Sequence, residues 1–105
     1  MASLSTLIPS TQATWCKYYY DRECMQETNG GTSFDCANHN SFASSAPYVQ
    51  CHATRGNRRD CVITRCTSST CQSTLNSFQI STTGGGTGPC TFTGGAGPWY
   101  EQRLA

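Results

Sequence analysis

The sequence is poor in charged side chains and in leucine. Lysine, arginine, aspartate and glutamate together make up 12% of the 105 residues, and the formal net charge is +1. This low and balanced charge argues against nucleic acid or an anionic membrane as a partner bound by the whole surface. Hydrophobic residues make up only 36% of the chain. A small domain with so little apolar material needs covalent cross-links to hold its fold.

Motifs for membrane insertion and for the commoner hydrolases are absent from the sequence. No segment approaches the roughly 18 apolar residues of a membrane span. Neither a Gly-x-Ser-x-Gly elbow nor a His-Glu-x-x-His segment occurs. The glycine-rich residues 84–88 lack the Lys-Ser/Thr that follows in a phosphate-binding loop. The sequence therefore indicates no catalytic residue, no metal site and no cofactor, and it favours a non-enzymatic role.

Cysteine, by contrast, is abundant and occurs at an even number of positions spread along the chain. Eight cysteines in a chain of this size predict a disulfide framework and an oxidising, extracellular compartment. Each bridge stabilises a fold by about 2–4 kcal/mol, mainly by restricting the unfolded chain. The spacing leaves the pairing open. The predicted bridge residues are Cys16, Cys24, Cys36, Cys51, Cys61, Cys66, Cys71 and Cys90.

Metal binding in a reducing compartment is the competing interpretation of the cysteines. Zinc sites combine one closely spaced cysteine pair with a second such pair or with two spaced histidines. Neither His39 nor His52 has a histidine partner at ligand spacing. Cys66 and Cys71 fit one half of such a site. We favour disulfides and keep that half-site as the alternative.

The chain divides into a short arm and one domain. Residues 1–13 are polar and uncharged and predict a flexible N-terminal arm. Residues 14–105 have the length of a single disulfide-rich domain. Because residues 1–13 contain no continuous apolar run of the signal-peptide kind, we expect the sequence to be the mature form of a secreted protein.

One helix is predicted near the start of the domain. Cys16, Tyr20 and Cys24 recur every four residues, which places them on one face of a helix over residues 14–26. Thr14 is a candidate N-cap for this helix. Two glycines follow a few residues later and end the segment.

The second half of the domain has the pattern of a small antiparallel sheet. From residue 47 to residue 54 the side chains alternate between two faces, which predicts a strand. A Gly56-Asn57 turn predicts a hairpin with a second strand over residues 59–66, in which Cys51 faces Val62. Shorter strands are predicted at residues 76–82, 90–93 and 99–104. The fold class is therefore α+β, with one N-terminal helix and a small antiparallel sheet, and an all-β fold is the alternative.

A basic hairpin tip and an aromatic pair are the candidate binding features. The guanidinium group presents a planar fork of donors that suits phosphate or carboxylate. Tryptophan, tyrosine and arginine also dominate binding hot spots. A solvated turn and a core role for the aromatic pair are the competing interpretations. The candidate binding residues are Arg55, Arg58, Arg59, Arg65, Trp99 and Tyr100.

The two histidines are candidates for acid–base catalysis only if other groups converge on them. A secreted nuclease of this size needs a general base, a general acid and an arginine for the phosphate. Either His39 or His52, with Arg65 and one glutamate, supplies the residue types. The spacing gives no reason for these groups to meet, so we assign no catalytic residue. The glutamates considered are Glu23, Glu27 and Glu101.

The overall composition resembles one class of fungal proteins. Eight cysteines in about a hundred residues lie in a matrix rich in serine, threonine, glycine and asparagine, with a tyrosine-rich segment at Tyr18-Tyr19-Tyr20. In these features the chain resembles the small secreted cysteine-rich proteins of fungi, the effector and killer-toxin-like class. The resemblance implies an extracellular, non-enzymatic protein without cofactor that binds a host or extracellular partner, either a protein or a glycan.

Two other functions remain as alternatives. In size and in tyrosine, serine and glycine content the chain is similar to the fungal guanyl-specific ribonucleases, which implies a small secreted ribonuclease or a toxin derived from one. An antimicrobial or membrane-active killer-like toxin is the other alternative, and the near-neutral charge argues against it.

Overall fold

The structure is a computed structural model that describes residues 14–54, 59–82 and 86–105. Within these ranges the chain forms β-strands and no α-helix, and its one helical element is a 3-10 turn at Asn29–Gly31. The fold is therefore nearly all β. The α+β prediction is wrong, and the all-β alternative is the observed class. The arm predicted over residues 1–13 lies outside the described residues.

The strands of the described ranges are two to seven residues long. In chain order they are β1 Thr14–Tyr19, β2 Phe34–Asp35, β3 Phe42–Ala43, β4 Tyr48–Ala53, β5 Cys61–Cys66, β6 Thr74–Ile80, β7 Gly86–Thr87, β8 Thr91–Phe92 and β9 Trp99–Leu104. They form two antiparallel sheets. The first sheet has the order β2-β1-β4-β7, with β8 also paired to β4, and the second has the order β3-β9-β5-β6.

The segment predicted as a helix over residues 14–26 is a strand followed by a loop. In β1, Cys16 and Tyr18 are buried while Lys17 between them is half-buried. This alternation has the period of a strand, and the aromatic side chains favour a pleated, half-buried surface. The four-residue spacing of Cys16, Tyr20 and Cys24 does not mark one helical face, because the two cysteines belong to different bridges.

β4 and β5 are strands, as predicted, but they do not pair with each other, so the predicted hairpin is wrong. β4 is central in the first sheet, and β5 is central in the second. Cys51 lies opposite Cys16, and Val62 lies opposite Gln79 and Arg103. Each of the two strands has one apolar side. Two sheets packed face to face bury the apolar sides of both strands, whereas an isolated hairpin leaves them exposed. The predicted Gly56-Asn57 turn lies outside the described residues.

The two sheets pack face to face around one core. The first sheet contributes Tyr18 and Val49, and the second contributes Ile63 and Tyr100. The rings of Tyr18 and Tyr100 lie 4.8 Å apart. The Tyr18 hydroxyl donates a 2.6 Å hydrogen bond to Oε1 of Gln102, which joins the sheets through a polar contact inside the core. Burial raises the pKa of Tyr18 well above its ordinary value, and the neighbouring Tyr100 raises it further.

The eight cysteines all lie in the described ranges and form four disulfides, which confirms the predicted framework. One bridge joins β1 to β4 within the first sheet. A second joins the residue after β2 to β5 and so links the two sheets. The third connects the loop after β1 to the residue before β8, and the fourth closes a short loop after β5. The pairs are Cys16–Cys51, Cys36–Cys61, Cys24–Cys90 and Cys66–Cys71.

Cysteines that lie close together in the structure all belong to disulfides. Cys66 and Cys71 are bonded to each other, so the alternative of a metal half-site there is wrong. The Sγ atoms of Cys16 and Cys36 lie 3.5 Å apart, which brings two buried bridges into contact. That contact also places the sulfur atoms of Cys16, Cys51 and Cys61 within 4.8 Å of one another. These are disulfide sulfurs in the core, and a thiolate is required to bind a metal.

Candidate binding face on the first sheet

The outward side of the first sheet carries aromatic side chains, and we call it the aromatic face. β1 and β4 pair over six residues each, so alternate side chains of both strands point away from the core. β7 and β8 pair with β4 and extend this face beyond it. The inward neighbours on β1 and β4 are buried. The face consists of Trp15, Lys17, Tyr48, Gln50, His52, Thr87 and Phe92; Tyr19 lies on the same side, opposite Tyr48, but is buried.

One end of the aromatic face is a stacked pair of rings. Trp15 and His52 lie opposite each other in register, with ring centroids 4.3 Å apart and planes inclined by 20°. Nδ1 of His52 lies 3.0 Å from Oγ1 of Thr87, which orients the imidazole. Burial lowers the pKa of His52, and the nearby charge of Lys17 lowers it further. The imidazole is therefore neutral at neutral pH and stacks as an uncharged ring.

The other end of the aromatic face is a second aromatic pair. Tyr48 and Phe92 lie opposite each other in register, with ring centroids 5.4 Å apart. Phe92 is 57% exposed, so its ring is open to a partner. Tyr48 precedes His52 by four residues on the same strand, and at roughly 3.3 Å per residue the two pairs lie about 13 Å apart.

Polar side chains fill the centre of the aromatic face. Lys17 and Gln50 lie opposite each other between the two aromatic pairs. Nζ of Lys17 forms a 3.1 Å ion pair with Oε2 of Glu27. Nε2 of Gln50 donates a 3.2 Å hydrogen bond to the carbonyl oxygen of Gly88. The centre is therefore polar, and its positive charge is matched by a negative one.

Backbone contacts and bridges hold the aromatic face in place. The backbone nitrogen of Gly88 donates a 2.7 Å hydrogen bond to the carbonyl oxygen of Cys51. A Cβ atom at this glycine would lie 2.8 Å from the carbonyl oxygen of Ser81, so only glycine fits this approach. The Cys24–Cys90 bridge anchors the chain directly before β8. The aromatic rings thus sit on strands whose positions are set before a partner arrives.

The predicted arginines do not form one group within the described residues. Arg59 is exposed, and its Nη2 donates a 2.7 Å hydrogen bond to the carbonyl oxygen of Ala105. Arg65 is half-buried on the inner side of the second sheet, where its guanidinium donates to Oδ1 of Asn76 and to the carbonyl oxygen of Gly97. These contacts give Arg65 a structural role. The other two arginines of the predicted tip, Arg55 and Arg58, lie outside the described residues.

Trp99 and Tyr100 are neighbours in β9 and point to opposite sides. Tyr100 is fully buried, and its hydroxyl lies 2.8 Å from Oγ1 of Thr93 and donates to the carbonyl oxygen of Ala46. Burial raises the pKa of Tyr100. Trp99 is half-buried on the second sheet, away from the aromatic face. The structure thus gives Tyr100 a core position and leaves only Trp99 with a side chain accessible to a partner.

The residues considered for a nuclease lie in different places. His52 belongs to the aromatic face, Arg65 to the inner side of the second sheet and Glu101 to its outer side. Glu27 is paired with Lys17, and Glu23 is paired with Arg22 in the loop after β1. His39 is exposed between β2 and β3. General acid–base catalysis requires these groups within hydrogen-bond reach of one substrate. Glu27 reaches the face of His52 through Lys17, but Arg65 and Glu101 lie on the other sheet.

Two hollows are lined by residues outside the aromatic face. One, between β2 and β3, has a volume of about 220 Å³; its aromatic wall is the stacked pair Phe34 and Phe42, with ring centroids 3.6 Å apart. Polar side chains, among them Asp35 and Asn38, form its rim. The other is a shallow groove of about 430 Å³ beside Tyr20.

Sequence reasoning identified part of the aromatic face and missed the rest. The alternation over residues 47–54 places Tyr48, Gln50 and His52 on one side, which is observed. Trp15 was assigned to a helix, and Phe92 to a short strand without a partner. An alternating pattern over residues 14–19 is the signal that would have joined Trp15 to the same surface.

Comparison with known proteins adds no relative. No family model matches the chain, and no curated protein or solved structure shows significant similarity to it. Across the described ranges, no helix has the length and hydropathy needed to cross a membrane. The aromatic face is therefore the feature on which a functional conclusion rests.

Proposed function

We propose that the protein is a secreted, non-enzymatic interaction protein of the effector type, and that the aromatic face binds its host or extracellular partner. The observation that carries the proposal is the presence of two aromatic pairs on the outward side of a sheet, where they do not contribute to the core between the sheets. Aromatic side chains supply large contact areas at low conformational entropy cost and are enriched at binding hot spots.

The covalent framework supports the extracellular part of the proposal. Four disulfides are typical of secreted and extracellular proteins, since reducing compartments keep thiols reduced. The same bridges support the binding part. Two of them, Cys16–Cys51 and Cys24–Cys90, lie beneath and beside the aromatic face. A face held in this way loses little conformational entropy when a partner binds.

Retention on insoluble plant cell walls tests the proposal, because such walls carry both glycans and extracellular proteins. We expect the fluorescently labelled protein to be retained, and Phe92→Ala to lower the retained fraction severalfold. Phe92 is largely exposed, so its removal leaves the core intact. Leu75→Ala is the matched control, because Leu75 is an apolar residue of β6 in the second sheet and is 46% exposed. Equal retention of both variants and the parent protein contradicts a binding role for the aromatic face.

The predicted basic tip remains a second way to bind the same partner. Removing the charges of Arg55, Arg58 and Arg59 together in the retention experiment measures its contribution. If the tip and not the face makes the contact, this triple variant loses retention while Phe92→Ala keeps it. That result assigns binding to the arginines and overturns the proposal for the aromatic face.

A further inference from the structure

We infer that the ligand of the aromatic face is a linear, neutral glycan of several sugar residues, an inference that rests on the proposed function of the face as a binding surface. The charge of the face, the kinds of contact it offers and its length all favour such a ligand. Each of these is set by named side chains of the first sheet.

The charge of the aromatic face favours a neutral ligand. Lys17 is the cationic side chain that the described strands place on it, and Glu27 neutralises that charge at 3.1 Å. Asp35 lies opposite Trp15 at the edge of the sheet, and its Oδ1 accepts a hydrogen bond from the backbone nitrogen of Ala37. An anionic ligand would have to displace Glu27 from Lys17, with the loss of this partly exposed ion pair, to find a partner for its own charge. A neutral ligand requires no such loss.

The contacts of the aromatic face suit a sugar ring. A sugar ring has a flat side rich in C–H groups, which packs against the face of an aromatic ring, and hydroxyls at its edge, which need hydrogen-bond partners. Phe92, beside Tyr48, is 57% exposed and offers its ring to a sugar. At the other end Trp15 and His52 cover one ring face of each other by stacking, so a sugar there would contact the half-buried outer side of this pair. The Gln50 amide lies between these two pairs and offers polar atoms for the hydroxyls.

The length of the aromatic face requires an oligomer. The two aromatic pairs lie about 13 Å apart along β4, and a single sugar residue is too short to contact both. A linear chain that follows β4 contacts one aromatic pair at each end and the polar centre in between. We therefore expect affinity to rise with chain length until both pairs are covered, and to be weak for a monosaccharide.

Single-stranded nucleic acid also binds by stacking on aromatic side chains, but the charge of the aromatic face argues against it. Proteins that bind single strands combine stacking aromatics with a groove of free cations that follows the phosphates. On the described part of the aromatic face the cation is already paired with Glu27. RNA is therefore a comparison probe in the experiment and not the proposed ligand.

Affinity electrophoresis in gels containing a soluble polysaccharide tests the inference. The neutral probes are laminarin, hydroxyethyl cellulose and glucomannan, and the comparison probes are polygalacturonate and a mixed-sequence single-stranded RNA. We expect at least one neutral probe to retard the protein and both anionic probes to leave its mobility unchanged. Phe92→Ala and Trp15→Ala should each weaken the neutral interaction by about tenfold, the effect of losing a hot-spot aromatic. The control Leu75→Ala should bind like the parent protein.

Phe92→Ala is included beside Trp15→Ala so that a loss of binding can be told apart from a disturbed sheet. Trp15 packs against His52, so Trp15→Ala can disturb the sheet, whereas Phe92→Ala removes an exposed ring. Neutral-glycan binding that is unchanged in Phe92→Ala overturns the inference, as does retardation by the anionic probes alone. Cleavage of the RNA that is lost in His52→Ala also overturns it and supports the ribonuclease alternative.

The outcomes separate this inference from the proposed function. Retention on plant cell walls that depends on Phe92 but disappears after protease treatment of the walls identifies a protein partner. In that case the glycan inference fails and the proposed function stands. Retention that survives protease treatment and is displaced by the soluble neutral glycan supports both. Retention that does not depend on Phe92, together with no binding to any neutral probe, rejects both.

Discussion

The first sheet presents Trp15, Tyr48 and Phe92 on its outward side. The second sheet presents one aromatic side chain there, Trp99, among mainly short, polar or charged ones. In the second sheet, Thr64 and Ser77 lie opposite each other with hydroxyl oxygens 3.2 Å apart. The inward sides of the two sheets are alike, because both supply aromatic and aliphatic side chains to one core.

The fold requires the shared core and does not require aromatic side chains on the outward side of a sheet. The core lies between the sheets and is reinforced by two buried bridges in contact, so the outward sides are free to differ. A mainly polar outward side, as in the second sheet, is sufficient for a stable sandwich. The aromatic pairs on the outward side of the first sheet lie outside that core, which is the physical reason for proposing a binding role for them. Variants that act on one sheet and not on the other test this difference.

Removal of individual bridges is expected to have the largest effect. Cys24→Ser with Cys90→Ser opens a bridge of sequence separation 66, and Cys66→Ser with Cys71→Ser opens one of separation 5. The loop-entropy relation predicts losses of about 4 and about 2 kcal/mol in the free energy of unfolding. Urea unfolding followed by tryptophan fluorescence measures both.

The same two double variants also distinguish the sheets in binding. Opening Cys24–Cys90 releases the chain beside β8, so glycan affinity should fall together with stability. Opening Cys66–Cys71 affects a loop next to the second sheet and should leave affinity unchanged. A larger loss of stability or of affinity on opening Cys66–Cys71 contradicts the prediction.

The polar contact between the sheets is expected to have the next largest effect. Tyr18→Phe removes the hydroxyl that donates to Oε1 of Gln102 inside the core. The buried amide oxygen then lacks this donor, which costs about 1–3 kcal/mol of stability. Tyr48→Phe is the matched control on the aromatic face and should change stability by less than about 0.5 kcal/mol. Urea unfolding of the two variants side by side measures the difference, and equal stabilities would show that the contact does not join the sheets.

The pH dependence of His52 is expected to be the smallest effect. Its pKa in the folded protein lies below the ordinary value, so above about pH 6.5 the imidazole is neutral both folded and unfolded. As the pH falls below that value, the unfolded chain binds the proton more readily than the folded one. Stability therefore declines until the pH passes below the folded pKa.

Thermal unfolding across pH 4 to 8 measures this decline. His52→Gln should remove the part of the pH dependence that arises from the stacked imidazole on the first sheet. His39→Gln changes an exposed histidine between β2 and β3 and serves as the control that keeps it. If His39→Gln removes the dependence and His52→Gln keeps it, the assignment to the aromatic face is wrong.

Local patterns predicted several strands well. The last strand was predicted over residues 99–104 and is observed over Trp99–Leu104, because buried Tyr100 and Gln102 alternate with more accessible neighbours. The strand over residues 47–54 agrees with β4 for the same reason. Alternation is produced within one strand by its own geometry, so a short stretch of sequence is enough to show it.

Patterns that depend on distant residues were predicted poorly. The helix over residues 14–26 was inferred from cysteine spacing, whereas Cys16 and Cys24 are placed by partners 35 and 66 residues away. The hairpin was inferred from a turn signal and from two adjacent strands. Nothing local in those strands shows that each is central in its own sheet. The aromatic face was not predicted as a whole for the same reason. Trp15 and Phe92 share this surface only because β1 and β8 both pair with β4.

The sequence by itself determined the number of cysteines available for bridges, the low and balanced charge, and the alternation that makes residues 47–54 and 99–104 strands. These are local or additive properties, so they do not depend on which parts of the chain meet. Only the tertiary structure decided the disulfide pairing, the separation of β4 from β5 and the assembly of the aromatic face. Strands choose partners by burying their apolar sides against elements far along the chain, and that choice is made by the whole core at once.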